Sequence, residues 1–254
     1  MKAIILAAGQ GSRLRPITNE VPKCMVPLNG TPLIDTIIKR FQENGISDIV
    51  VVGGYQYEVL QKHLRPFGVK VYFAENYDKS NMVTTLFSCE KELDDDVIVS
   101  YSDIIYTAEN LKKLIDCKAQ IATVVDKDWQ TLWRFRMDNP LDDAESLVLS
   151  AQNNVLELGK KTKDYAKIQA QYIGLSKFSK NVLPQIIDFY KSMDQAADYD
   201  GKNYLNMYMT TFLQHLIDGG NSIKGVIIHG GWLEVDTTED LHKYEQNNFY
   251  NGVF

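Results

Sequence analysis

Residues 9–23 read GQGSRLRPITNEVPK, so glycines, two arginines and a lysine share one loop directly behind a short apolar run. Small glycines let backbone N–H groups approach phosphate oxygens, and doubly wound sheets bind ligands beyond the carboxyl ends of their strands. Arg13 can fork onto phosphate oxygens, and Lys23 supplies a mobile point charge. Pro16 and Pro22 predict extended backbone that folds these cations back toward Gly9 and Gly11. Leu14 stands where a dinucleotide fingerprint needs its third glycine, and no GK[ST] follows as in a P-loop. A bare GxG means no more than a tight turn; Arg13 and Lys23 favour a phosphate clamp over a solvated basic loop.

Two aspartates offer a second chemistry. Asp103 closes the apolar stretch DVIVSYSD, and Asp236 closes WLEVD. Either alone reads as a helix cap or a loop residue. Brought together across a crevice, they could share a hard cation such as Mg²⁺, which takes one or two carboxylates plus phosphates and waters. Strand alternation puts Glu234 on the same face as Asp236. His63, His215, His229 and His242 show no zinc-type spacing. Cys24, Cys89 and Cys117 are odd in number and form no CxxC pair, which predicts free thiols in a reducing compartment.

The elements that must position these residues are legible from periodicity. MKAIILAAG is a buried strand ending in a turn, DIVVVGG a second, VKVYFA a third, DVIVSYSD a fourth and QIATVVD a fifth. Between them, TPLIDTIIKRFQENG is a helix with Thr31 as cap, Pro32 in the first turn and Gly45 at the exit. Further helices are predicted near residues 57–64 and behind Asn81, which can cap. Beyond residue 126 the rhythm changes. WRFRM, with Trp133, Phe135 and Met137 alternating against Arg134 and Arg136, reads as a half-buried strand, as do ESLVLS and QAQYIGLSKFS. Helices follow from about Phe178 to Met193 and from Asn203 to Leu216, the latter with Leu205, Tyr208, Met209, Phe212, Leu213 and Leu216 as a core stripe. SIKGVIIHGGWLEVD reads as a strand pair, and Thr237 or Thr238 caps a last helix. The fold class is α/β: a mixed, mostly parallel doubly wound sheet, Rossmann-like and of the glycosyltransferase-A kind, with inserted antiparallel strands. Residues 1–254 form one domain, with 1–126 as the nucleotide-binding half and 127–254 as the acceptor half.

AAGQGSRLRPITNEVPKCMVPLNGTPLI resembles the signature of the nucleotidylyltransferases, which join a nucleoside triphosphate to a phosphorylated small molecule. YSDI and WLEVDTTEDL match the two places where that family supplies metal-binding aspartates. The resemblance therefore implies Mg²⁺ held by Asp103 and Asp236, and catalysis by Arg13 and Lys23. It also implies a nucleotide site built from Leu6, Ala7, Ala8, Gly9, Gly11, Ser12 and Ser102. Where the sugar-1-phosphate branch has a glycine-containing base-binding stretch, this chain reads ENYDKSNMVTTLFS, which resembles the phosphocholine and phosphonate cytidylyltransferases. CTP is thus the expected donor. Asn76, Ser80 and Asn81 suit a cytosine edge, Asn81 being equally well explained as a helix cap. Other stretches, DKDWQTLWRFRM and KNYLNMYMTTFLQ among them, resemble cytidylyltransferases acting on phosphoglutamine.

For the acceptor the candidates are Trp129, Trp133, Arg134, Arg136, Gln171 and Tyr172. Two exposed arginines would bind an acceptor carboxylate or phosphate, whereas a box around Trp129 and Trp133 would suit choline. A phosphate acceptor is already anionic at pH 7, so no general base is required. A glycosyltransferase is the first rival, but it usually carries D-x-D where this chain has Ser102-Asp103-Ile104. A non-catalytic nucleotide-binding regulator is the second, yet every clamp and metal position is filled. A net charge of −6 argues against nucleic acid as a partner. No apolar run approaches the ~20 residues of a membrane span, and the expected setting is cytoplasmic, as a monomer or homodimer.

Overall fold

The computed structural model describes residues 1–247. In chain order the elements are β1 (Lys2–Ala7), β2 (Pro27–Leu28), β3 (Thr31–Pro32), α1 (Leu33–Glu43), β4 (Ile49–Gly53), α2 (Tyr57–Leu64), β5 (Lys70–Phe73) and α3 (Met82–Ser88). Then come β6 (Val97–Tyr101), β7 (Ile104–Tyr106), α4 (Ala108–Asp116), β8 (Ile121–Asp126) and α5 (Trp129–Arg136). The remainder is β9 (Glu145–Leu149), β10 (Val155–Lys161), β11 (Gln171–Phe178), α6 (Leu183–Ser192), α7 (Met209–Asp218), β12 (Ile223–Ile228), β13 (Trp232–Glu234) and α8 (Thr238–Asn247).

A seven-stranded sheet in the order β12-β8-β11-β6-β1-β4-β5 forms the centre. Every pairing in it is parallel except those of β11, which runs antiparallel to both β6 and β8. All six residues of β1 are buried, and its alternation splits them between two cores. Ala3, Ile5 and Ala7 join the side packed by Ile37 and Phe41 of α1, while Ile4 and Leu6 join the side packed by Phe212 and Leu213 of α7. A strand covered on both faces has no polar face to show, which is why the strands near the N-terminus read as uninterrupted apolar runs. Cys24, Cys89 and Cys117 are free, and burial pushes the Cys24 and Cys89 thiols up, Cys89 to about 12.

Four local expectations are corrected. The stretch WRFRM is not a strand: α5 spans Trp129–Arg136, and Trp129, Leu132, Trp133 and Arg136 are its buried residues. That spacing of three, one and three is helical, and it wins over the period-two alternation that overlaps it. Residues 204–206 form a 3₁₀ turn and α7 starts only at Met209, so Leu205 and Tyr208 are exposed at 40% and 36% rather than part of the stripe. Strands β12 and β13 do not pair with each other. Gly230 and Gly231 both adopt positive φ between them, β12 adds to β8 in the sheet, and β13 pairs with β7. Thr31 and Pro32 pair with Pro27 and Leu28 instead of opening α1, which starts at Leu33 without a side-chain cap.

Candidate active site

The loop behind β1 is folded rather than extended, winding through 3₁₀ turns at Ser12–Leu14, Ile17–Asn19 and Lys23–Met25. Pro22 is extended as expected, but Pro16 is not. Leu14, fully buried, anchors the loop, and the Thr18 hydroxyl donates to the Gly11 carbonyl at 2.8 Å. Gly11 has φ +64°, and a Cβ there would lie 2.9 Å from Lys23 Cβ. Glycine at this position is what lets the Lys23 stem pass directly under the turn.

Lys23 Nζ lies 2.6 Å from Asp103 Oδ2 and 2.6 Å from Asp236 Oδ1, and Arg13 Nη2 lies 2.6 Å from Asp236 Oδ2. A short antiparallel ribbon explains how residues so distant in sequence meet. Strand β13 pairs with β7 with Glu234 opposite Ile104, and the Val235 N–H donates to the Asp103 carbonyl at 2.8 Å. Burial works to lower the Lys23 pKa, but the two carboxylates outweigh it and hold the ammonium above its ordinary value. Burial likewise pushes Asp236 up; the Lys23 and Arg13 charges win and bring it below the ordinary carboxylate value.

These residues fit a divalent cation. Asp103 Oδ1 is buried and has no hydrogen-bond partner among the described residues, an acceptor left open beside a second carboxylate. Among the described residues no cluster of three or more His, Cys, Asp or Glu could hold a metal by itself. A pair of carboxylates suits a hard ion that completes its shell with phosphates and waters.

A cavity of about 270 Å³ opens over this cluster. Of the residues expected there, Leu6, Ala8, Gly9, Gly11, Ser12, Arg13, Lys23, Ser80, Asn81, Ser102, Asp103 and Asp236 line it. Ala7 does not: it is buried on the α1 side of the sheet. Asn76 lines a neighbouring recess with Phe73 and Glu75 instead. Asn81 caps α3, its Oδ1 accepting from the Met82 N–H at 2.9 Å, and it also stands on the cavity wall. Tyr77, Met82, Thr85 and Tyr101 are wall residues the sequence did not single out. Helical spacing from Asn81 to Thr85 is the one signal that could have found Thr85; Tyr77 and Tyr101 had none.

Met82 and Tyr101 are shared with a second cavity of about 160 Å³. Gly174, at φ +85° within an irregular stretch of β11, would clash with the Tyr101 ring at 2.4 Å if it carried a Cβ. A bulge beside a site that re-aims neighbouring side chains is a common device. Trp133, Gln171 and Tyr172 line this second cavity, together with Asp143, Glu145, Tyr208, Thr210, Trp232 and Glu234. The other acceptor candidates sit elsewhere. Trp129 is buried behind the wall, edge-on to Trp133 and stacked on Tyr165. Arg134 is exposed and donates to Gln130 on its own helix at 2.8 Å.

Arg136 is a brace, not an exposed acceptor-binding arginine. Its side chain is 4% exposed, forks onto Asp240 at 3.1 and 3.3 Å, and also pairs with Glu234. Asp240 Oδ2 in turn accepts the backbone N–H groups of Asp236 and Thr237 at 3.0 and 2.9 Å. Arg136 thereby fixes the turn that carries Asp236. Glu234 and Asp236 line different cavities, because β13 ends at Glu234 and strand alternation does not continue into the turn.

A folded loop of glycines and cations at the mouth of a mostly parallel sheet, facing two carboxylates, defines a phosphate-handling α/β protein. The chain belongs to the nucleotidyl transferase family, which residues 2–131 match. It is 47% identical to a CTP:phosphoglutamine cytidylyltransferase of Campylobacter jejuni over 95% of this chain and 98% of that protein. It is 37% identical to the choline-phosphate cytidylyltransferase of Streptococcus pneumoniae over 42% of this chain and 46% of that one. In fold it superposes on a CTP:phosphocholine cytidylyltransferase from Streptococcus pneumoniae with a TM-score of 0.75 at 24% identity, covering 97% of this chain and 98% of that chain. An inositol-1-phosphate CTP transferase from T. maritima gives 0.76 at 21% identity, covering 99% and 94%.

Proposed function

We propose that this chain transfers CMP from CTP to L-glutamine phosphate, giving CDP-L-glutamine and pyrophosphate, in the phosphoramidate modification of a capsular polysaccharide. The observation that carries this is the 47% identity to a phosphoglutamine cytidylyltransferase, which extends over 95% of the chain rather than the nucleotide half alone. An acceptor phosphate oxygen attacks the α-phosphorus of CTP in line with the departing pyrophosphate. Both reactants are anions, so alignment and charge neutralisation carry the rate. Among the described residues no histidine lines either cavity, in keeping with an acceptor that needs no general base.

In this scheme Lys23 and Arg13 exchange their aspartate partners for triphosphate oxygens, with Lys23 stabilising the transition state. The backbone of Gly9, Gly11 and Ser12 lies against the phosphates, Leu6, Ala8 and Ser102 against the nucleoside, and Ser80 and Asn81 against the cytosine edge. Asp103 and Asp236 would hold Mg²⁺, which supplies further neutralisation of the phosphate oxygens when bound. The acceptor occupies the second cavity, with its phosphate at the Tyr101 and Met82 boundary. Residues 1–126 thus serve mainly the nucleotide and 127–254 mainly the acceptor, with Asp236 crossing over. No helix among the described residues is long and apolar enough to cross a membrane. A cytoplasmic monomer or homodimer completes the proposal.

Phosphocholine is the second reading, favoured by the Trp133, Trp232 and tyrosine walls of the second cavity. A pyrophosphate-release screen separates the two, crossing four nucleoside triphosphates with glutamine phosphate, phosphocholine, aminoethylphosphonate and hexose 1-phosphates. CTP with glutamine phosphate is expected to give the highest kcat/KM. A preference for UTP with a hexose 1-phosphate would overturn the assignment.

A further inference from the structure

The second cavity differs from what an acceptor carboxylate would call for. Its charged lining is acidic: Asp143, Glu145 and Glu234. Glu234 is neutralised by Arg136, and Asp143 accepts the Trp133 indole N–H at 3.1 Å. Among the described residues neither Asp143 nor Glu145 has a cation within ion-pairing distance, and Glu145 is the one that burial bears on. Its carboxylate pairs with the neutral Thr210 hydroxyl, Asp143 and Asp200 add negative charge nearby, and Lys161, its register partner on β10, offsets them only from a distance.

We infer that Glu145 selects the acceptor by pairing with a cationic nitrogen at the end of the acceptor remote from its phosphate, an inference that rests on the cytidylyl-transfer reading above. The fold commits structure to placing this residue. Gln171, which lines the cavity, spends its amide on the Glu145 backbone: Oε1 accepts the Glu145 N–H at 3.2 Å, and Nε2 donates to the Glu145 carbonyl at 2.5 Å. Gln171 is therefore a positioning residue for Glu145. Trp133, Tyr172, Tyr208 and Trp232 line the same cavity, and aromatic side chains attract cations. Burial also pushes the Glu145 carboxyl up to about 7, disfavouring the charged form that a bound ammonium would stabilise. An α-ammonium meets this demand; a hexose phosphate offers no cation at all.

The test compares the parent and Glu145→Gln, which keeps the shape, using CTP with glutamine phosphate, its analogue lacking the α-amino group, phosphocholine and glucose 1-phosphate. Loss of the amino group is expected to lower the parent's kcat/KM by about 10- to 100-fold, the worth of one charge-assisted hydrogen bond. Glu145→Gln is expected to raise the KM for glutamine phosphate by a similar factor, to become indifferent to the amino group, and to leave the KM for CTP unchanged. If the parent uses glutamine phosphate but Glu145→Gln keeps its KM, or loses equally with both analogues, the role of Glu145 falls while cytidylyl transfer stands. If the parent prefers phosphocholine and Glu145→Gln raises its KM, the glutamine acceptor falls and Glu145 stands. Turnover of glucose 1-phosphate alone, or of no acceptor, would overturn both.

Discussion

The two cavities that meet at Tyr101 and Met82 are electrostatic opposites. In the first, every principal charge already faces its complement: Lys23 bridges Asp103 and Asp236, and Arg13 closes onto Asp236. In the second, the carboxylates of Asp143 and Glu145 have no cation within ion-pairing distance among the described residues: Asp143 accepts the Trp133 indole N–H, and Glu145 pairs with the Thr210 hydroxyl. A site whose ligands bring both signs, a polyanion and a divalent cation, can hold both signs in readiness and neutralise them internally. A carboxylate that is to meet a cationic nitrogen must stay unpaired until the ligand arrives and bear the cost of burial.

Arg136 touches both regions, so Arg136→Ala is the strongest way to break the comparison. It leaves Asp240 and Glu234 without their cation and is expected to destabilise the fold by about 3–5 kcal/mol, measured by urea unfolding. A variant within ~0.5 kcal/mol of the parent, the range of a neutral surface change, would mean that Arg136 is no brace. Lys23→Ala tests the first cavity alone. Turnover should drop about 10²- to 10³-fold, the cost of one lost transition-state donor, with the fold intact; near-normal kcat would remove Lys23 from the chemistry.

Asp103→Asn and Asp236→Asn probe the other half of that cavity. Each should raise the Mg²⁺ concentration for half-maximal rate by ~10-fold or more, since even groups that only support a ligand matter that much. An unchanged metal titration would exclude that residue as a ligand. Glu145→Gln sharpens the contrast through stability. The Glu145 pKa in the fold, about 7, lies above its ordinary value of 4.5 because burial penalises the charge. The neutral form is the one the fold favours, so this contribution is full below pH ~4.5 and is lost as pH rises through 7. At pH 8 the Gln variant should therefore exceed the parent by on the order of 2 kcal/mol, and by nothing at pH 4. A parent as stable as the variant at both pH values would show that Glu145 carries no burial penalty. The smallest effect belongs to Arg134→Ala: exposed and bonded only along its own helix, it should leave acceptor KM and stability unchanged. A raised acceptor KM would restore the arginine to the acceptor site.

More of the first cavity than of the second was readable in sequence, for a physical reason. The loop behind β1 is built from contiguous residues, so the glycines and cations of GQGSRL and the following PK stand in one line of text. The strand ends that deliver Asp103 and Asp236 were marked by apolar runs. The second cavity is assembled from α5, β9, β11, α7 and β13, with β11 giving four residues, the others one or two each, and no common motif. Arg134 and Arg136 look alike in sequence, alternating with aromatic residues, and only the helical winding of α5 sends one to solvent and the other into the core. Leu205 and Tyr208 show the same limit, as their apparent stripe is cut by a turn that no residue type announces.

By itself, then, the chain of residues determined the buried strands, the alternating helices, the phosphate loop and the two strand-end carboxylates. Those depend on periods of two and 3.6 and on neighbours in the chain, which are local properties. Tertiary structure alone decided that Asp103 and Asp236 meet through the β7–β13 ribbon, that Arg136 braces Asp240, and that Glu145 is half-buried against the Thr210 hydroxyl with Asp143 and Asp200 nearby. Whether a charge is paired depends on its three-dimensional neighbours and on how much water they exclude, and neither is written in the residue or its spacing.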